Sequence, residues 1–228
     1  MKPITLDSFH NKSLNGFSFC QKAYKLFNQI KSETNGLERL RMRQSELERK
    51  LIIEILPLAK FVQIKTKPGN ELKIKWMNGD QTFDACFVQF GSYVDNGFSI
   101  PKGHLEVTGV YHPNHFLANE LLNSGETFFG CDGLMRHKKT KTIHSTPIAK
   151  NRLESAENMA TLAIGQIKKK SEKPYPDKTI LIVECNLDTY YYEHEWHHFL
   201  CKVREDIPSH SFKEILLYDS LVGQYAYL

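Results

Sequence analysis

Apolar residues recur along this chain with two different periods, and the change of period divides it into elements. Between Leu37 and about Ala59, the residues Leu40, Leu47, Leu51, Ile55 and Leu58 fall at the spacing that lines one face of a helix. Pro57 lies in the final turn of that pattern, so the helix is expected to be distorted there or to end earlier. Glu48 and Glu54 flank the apolar stripe on opposite sides. Residues 1–35 are mixed and polar, with an amphipathic piece at SFCQKAYKLFNQI. They read as an N-terminal arm or short helix outside a domain of residues 36–228.

Beyond Ala59 the period shortens. ELKIKWM reads as a strand closed by Asn78-Gly79-Asp80, a strong hairpin-turn signal. A second strand is expected from about Thr82 to Phe90, and the loop GSYVDNGFSIPKG leads to a third from His104 to Tyr111. A long polar and basic segment then reaches Asn151. The next helix spans Arg152 to Lys170, with Leu153, Met159, Leu162, Ala163 and Ile167 on or near its buried side, and KPYPD breaks it. KTILIVECN is almost continuously apolar, the mark of a strand covered on both faces. YYEHEWHHFLCKVRE predicts a third helix, FKEILLYDS a further strand, and VGQYAYL an edge strand folded back. This order predicts an α/β fold, a mixed central sheet flanked by helices on both faces.

Composition adds bounds. The chain is 41% hydrophobic and 25% charged, ordinary for a soluble globular protein. No apolar run approaches the roughly 18 residues of a membrane span, and MKPITLDSFHNKSLNG lacks the apolar core of a signal peptide. A cytoplasmic location is therefore expected. Five scattered cysteines without a C-x-x-C pair suggest neither a zinc ribbon nor a disulfide framework. The net charge of +4 is modest, but Arg136 to Arg152 holds six Lys or Arg, two His and no acid. A charge run of this kind can be plain solvated surface, but next to a paired-carboxylate site Arg136, Lys138, Lys139 and Lys141 are where a phosphate backbone would lie.

The candidate chemistry sits in the second and third strands. TFDACFVQF carries Asp84 and GHLEVTGVY carries Glu106. Strand alternation sends His104, Glu106 and Thr108 to one side and Leu105 and Val107 to the other. Acids within apolar strands are costly to bury uncompensated, and a divalent cation is the usual compensation. An Asp on one strand and a Glu on the next can hold a hard metal between them.

Element order and acids together resemble the PD-(D/E)XK nuclease superfamily, the restriction-endonuclease-like fold, from roughly Leu37 to the C-terminus. On that resemblance Asp84 matches the motif Asp, Glu106 the motif Asp/Glu with Val107 as spacer, and Glu54 or Glu48 the acid that the first helix sometimes contributes. Phe83 stands where the motif has proline, and Thr108 where it has lysine. Lys102, on the parity of Glu106, or Lys169 from the second helix is then expected to supply the missing cation, with Thr108 and His104 able to orient water. The resemblance implies Mg²⁺- or Mn²⁺-assisted hydrolysis of phosphodiester bonds in nucleic acid, DNA being favoured over RNA, with a homodimer or partner subunit left open. Two other readings stand beside it. One is a non-catalytic nucleic-acid- or protein-binding module on the same fold. The other is a zinc metallopeptidase, because His194, Glu195 and His198 match H-E-x-x-H, with Glu214 as the tempting third ligand.

Overall fold

The computed structural model describes residues 3–185, 193–221 and 223–228. Its elements run β1 (Ser13–Asn15), α1 (Gly16–Lys31), α2 (Gly36–Met42), α3 (Glu46–Lys50), a π-helical turn (Leu51–Ile55), α4 (Leu56–Lys65), β2 (Glu71–Trp76), β3 (Ala85–Phe90), α5 (Ser92–Asp95) and β4 (Lys102–Val110). There follow α6 (His115–Asn123), β5 (Leu134–Arg136), β6 (Ile143–Ser145), α7 (Arg152–Ser171), β7 (Thr179–Cys185), α8 (Glu193–Asp206), β8 (Glu214–Asp219) and β9 (Tyr225–Tyr227). One mixed sheet has the order β1-β2-β3-β4-β7-β8-β9, antiparallel at both ends and parallel across β4, β7 and β8. The expected α/β class holds.

Strand alternation sorts the core into two layers. Leu72, Ile74, Ala85, Phe87, Leu105, Val107, Ile180 and Ile182 meet α1, the π-helical turn and α4 on one face. Val110, Leu181, Val183 and Leu217 meet α7 and α8 on the other. No described residue of β1, β2 or β3 joins that second layer. On that side Lys73, Val88, Phe90 and Lys102 are exposed.

Four expectations need correction. First, the segment 1–35 is not an arm: β1 pairs with β2, and Phe19, Ala23, Leu26 and Ile30 of α1 are buried in the first core layer. A short polar stretch such as SLN gives no strand signal by itself; pairing with β2 makes it one. Second, the single helix 37–59 is broken. Arg43 adopts a left-handed conformation at φ 52°, and Ser45 starts α3 with a capping box to Glu48. Around Pro57 the π-helical turn closes with Leu56 N–H on the Leu51 carbonyl; the wider turn accommodates a ring that would clash with the carbonyl four residues back. Third, Asn78-Gly79-Asp80 does not make a tight hairpin, and residues 77–84 form a longer bend before β3 starts at Ala85. Fourth, the long polar and basic segment before Asn151, to which the apolar pattern assigned no element, is structured. It holds α6 and the β5–β6 hairpin, packed around Ala118, Leu121, Cys131 and Leu134. Residues 186–192, which include the start of the expected third helix, and Val222 of the expected edge strand lie outside the described residues.

Candidate metal centre

The late start of β3 shapes the site. Asp84 N–H still reaches the Leu105 carbonyl at 2.8 Å, and the Asp84 carbonyl accepts from Met77 N–H at 2.9 Å. Here the backbone ladder stops, and the side chain continues it: Asp84 Oδ2 accepts from Val107 N–H at 2.7 Å. The carboxylate is thus tied to β4 one residue beyond Glu106. Glu106 itself is buried, 6% exposed, on the face that α7 covers. The two acids feel each other. The Asp84 carboxyl is pushed up to about 7 by burial first, then by the charges of Glu106 and Glu54; the Val107 amide and the Lys170 charge pull it back.

Glu54 is the third acid, and it sits in the π-helical turn, a local distortion common at functional sites. Lys50 reaches its Oε1 at 2.6 Å and the Trp76 indole N–H donates to its Oε2 at 3.0 Å. Glu48, the other sequence candidate, lies elsewhere. It is fully buried, paired with Arg39, and closes the capping box at Ser45. Its role is structural.

The cation comes from a position that sequence reasoning missed. Lys170, near the end of α7, pairs with Glu106 Oε1. Lys169 is exposed, because one residue along a helix turns the side chain by about 100°. Lys102 does share the parity of Glu106 but starts β4, about 13 Å along the strand, and is exposed. Within the KKK run the signal was Ile167: buried one turn before Lys170, it marks the inward face and points to Lys170 at i+3. Tyr175 was also missed. Its hydroxyl is buried without a hydrogen bond of normal geometry, and burial, Glu106 and Asp84 all raise its pKa.

His104 and Thr108 lie where alternation put them. The His104 ring is 4.5 Å from that of Phe83, and its Nδ1 is 3.4 Å from the Asp177 carbonyl. Thr108 is buried. Of the basic candidates, Arg136 is paired with Glu120, while Lys138, Lys139 and Lys141 are exposed between β5 and β6. Glu154 caps α7 through Asn151, and Glu157 meets His198 Nε2 at 3.0 Å, so neither joins the acids.

That last pair bears on the H-E-x-x-H helix. His194 is exposed, His198 is engaged with Glu157, and Glu195 is fully buried. Glu214 is held by Lys65 at 3.0 Å. Among the described residues, no group of three or more His, Cys, Asp or Glu is arranged to hold a metal. A catalytic zinc takes three protein ligands and an open position, and among the described residues His194, His198 and Glu214 are not brought together as such a set. This does not count against a hard cation at Asp84 and Glu106, since Mg²⁺ is usually bound by one or two carboxylates and keeps several waters for exchange with phosphate oxygens. The donor set fits: carboxylate oxygens only, with three acids (Asp84, Glu106 and Glu54) against two lysines, Lys170 on Glu106 and Lys50 on Glu54. Comparison of the chain with protein families, with curated proteins and with solved structures returns no match.

Proposed function

We propose that this protein is a divalent-metal-dependent nuclease, hydrolysing phosphodiester bonds in nucleic acid at Asp84 and Glu106. The observation that carries the reading is Asp84: a carboxyl raised to about 7 by burial and by two neighbouring acids, yet locked to the Val107 amide. Such an arrangement costs stability unless a cation occupies it, and structural acids are not usually gathered this way. Asp84 and Glu106 would hold Mg²⁺ or Mn²⁺, with Glu54 behind them. When bound, the metal supplies a lowered water pKa and neutralisation of charge on the phosphorus centre.

The chain's own residues do the rest. Lys170 places a positive charge beside Glu106, and a charge there would stabilise what develops on a phosphoryl oxygen bound at the two acids. It fulfils the role that the motif gives to the residue two after Glu106, where this chain has Thr108. The Tyr175 hydroxyl, with its raised pKa, stays protonated and can donate to an anionic oxygen. Lys50 and the Trp76 indole fix the Glu54 carboxylate so that its orientation is set before substrate arrives.

The test is cleavage of DNA and RNA by purified protein in Mg²⁺ or Mn²⁺. Glu106→Ala and Asp84→Ala should each abolish it, and Lys170→Gln should lower it by about 10²–10³-fold, the scale of one lost electrostatic group. Thr108→Ala should do far less. Cleavage surviving in the Asp84→Ala, Glu106→Ala double variant would overturn the assignment.

A further inference from the structure

Among the described residues, no helix packs on one side of the half of the sheet beside the acids, and the composition of that side is not that of an ordinary solvated face. The pairing register aligns Lys75, Cys86 and His104 across β2, β3 and β4, and in the next row Lys73, Val88 and Lys102. Phe90 lies diagonally beyond, with the Lys73 Nζ 5.4 Å from its ring centroid. Burial raises the pKa of the Cys86 thiol, and the neighbouring Lys75 charge opposes that rise. Two apolar side chains, Val88 at 39% and Phe90 at 44% exposed, are therefore ringed by three lysines. The β4 parity that carries Lys102 and His104 continues directly to Glu106.

We propose that this open face binds single-stranded nucleic acid and feeds it to the Asp84–Glu106 centre; the proposal rests on the nuclease reading and names its substrate class. Charge complementarity selects a polyanion, since Lys73, Lys75 and Lys102 face it with Glu71 as the acid opposite Phe90. Phe90 and Val88 select the strandedness. A duplex keeps its base faces within its own stack and would leave both side chains in water. An unpaired strand lays bases on exposed rings while lysines follow its phosphates. The strand spacing of about 4.8 Å and the rise of about 3.3 Å per residue bring Lys73 and Lys102 within the reach of neighbouring phosphates around one stacking position.

The experiment measures binding of fluorescent oligothymidylate, and of a duplex of equal length, to full-length protein in EDTA, where cleavage does not interfere. Oligothymidylate should bind more tightly than duplex. Phe90→Ala should weaken it by about 5- to 150-fold, the cost of one lost base stack. Lys73→Ala with Lys102→Ala should weaken it and reduce the salt slope by roughly 1.4, about 0.7 for each phosphate no longer neutralised. These positions are exposed, and unchanged circular dichroism confirms folding. Duplex preferred over oligothymidylate, or wild-type affinity in both variants, would overturn the proposal. Failure of the two readings is separable. Binding through this face without cleavage in any metal sinks the nuclease, whereas cleavage by variants of unchanged affinity sinks the face.

Discussion

Asp84 is the residue on which most of the chemistry turns, and its titration gives a test without any substrate. Its folded pKa is raised, from 3.8 to about 7, so the folded state holds the proton more tightly than the unfolded chain does. The contribution to stability is intact below the unfolded value and is lost as pH rises through about 7. Asp84→Asn removes that loss while keeping an oxygen for the Val107 amide. Its gain in Tm over wild type should be small near about pH 4 and largest above about pH 7. Mg²⁺ added at the higher pH should raise the wild-type Tm and leave the variant unchanged, because only a folded site that binds it is stabilised. Lys170→Gln should enlarge the wild-type defect, since the Lys170 charge lowers the Asp84 pKa. A pH-independent difference between Asp84→Asn and wild type would contradict the buried acid cluster.

Elements set these residues in place by ending where they do. β3 begins at Ala85, leaving Asp84 in the bend before the strand, and the π-helical turn before Pro57 carries Glu54. α1 matters equally, although it looked dispensable in the sequence. Leu26 is fully buried between α1 and the sheet layer that supports the π-helical turn. Leu26→Ala should cost about 2–5 kcal/mol in urea unfolding, the usual range for a buried leucine. An arm outside the domain would show no such loss. The break at Arg43 gives the second half of that expected helix a different neighbourhood. The Arg43 guanidinium stacks on Tyr111 at 4.4 Å and lines a cavity of about 220 Å³ with Arg41, His115, Asn119 and Glu184. Glu184 lies on the first-layer face of β7, away from Glu106.

At the scale of the whole molecule, two cationic surfaces lie at opposite ends of β4. Lys73, Lys75 and Lys102 are at its start, and the β5–β6 hairpin is anchored just past its end, where Asn114 donates to the Cys131 and Leu134 carbonyls at 3.0 Å. β4 spans nine residues, about 30 Å, so a short oligonucleotide on the open sheet face does not extend to the hairpin. Lys138→Ala, Lys139→Ala and Lys141→Ala together should therefore spare short oligothymidylate but weaken long DNA. The salt slope should flatten by about 0.7–0.9 for every phosphate that the hairpin lysines neutralise in the wild type. An unchanged slope on long DNA would return the hairpin to plain solvated surface. Among the described residues, no helix is long and apolar enough to cross a membrane.

Much of this was legible in one dimension. Period-two alternation placed Glu106, His104 and Thr108 on one face, and the apolar run of β7 announced a strand covered on both sides, because side-chain direction in a strand follows from local geometry alone. The α/β order followed from the same periods. What the sequence could not determine depended on pairings across the chain. β1 exists by pairing with β2, where Leu14 lies opposite Ile74. The choice between Glu48 and Glu54 depended on a helix break and a π-helical turn that local propensity does not specify. Ile167 marks Lys170 as inward-facing, but that Glu106 is the group it meets depends on α7 packing Ala156, Ala160, Ala163 and Ile167 against the sheet. A pattern reports which side a residue faces within its own element; which partner waits there is a property of the tertiary fold.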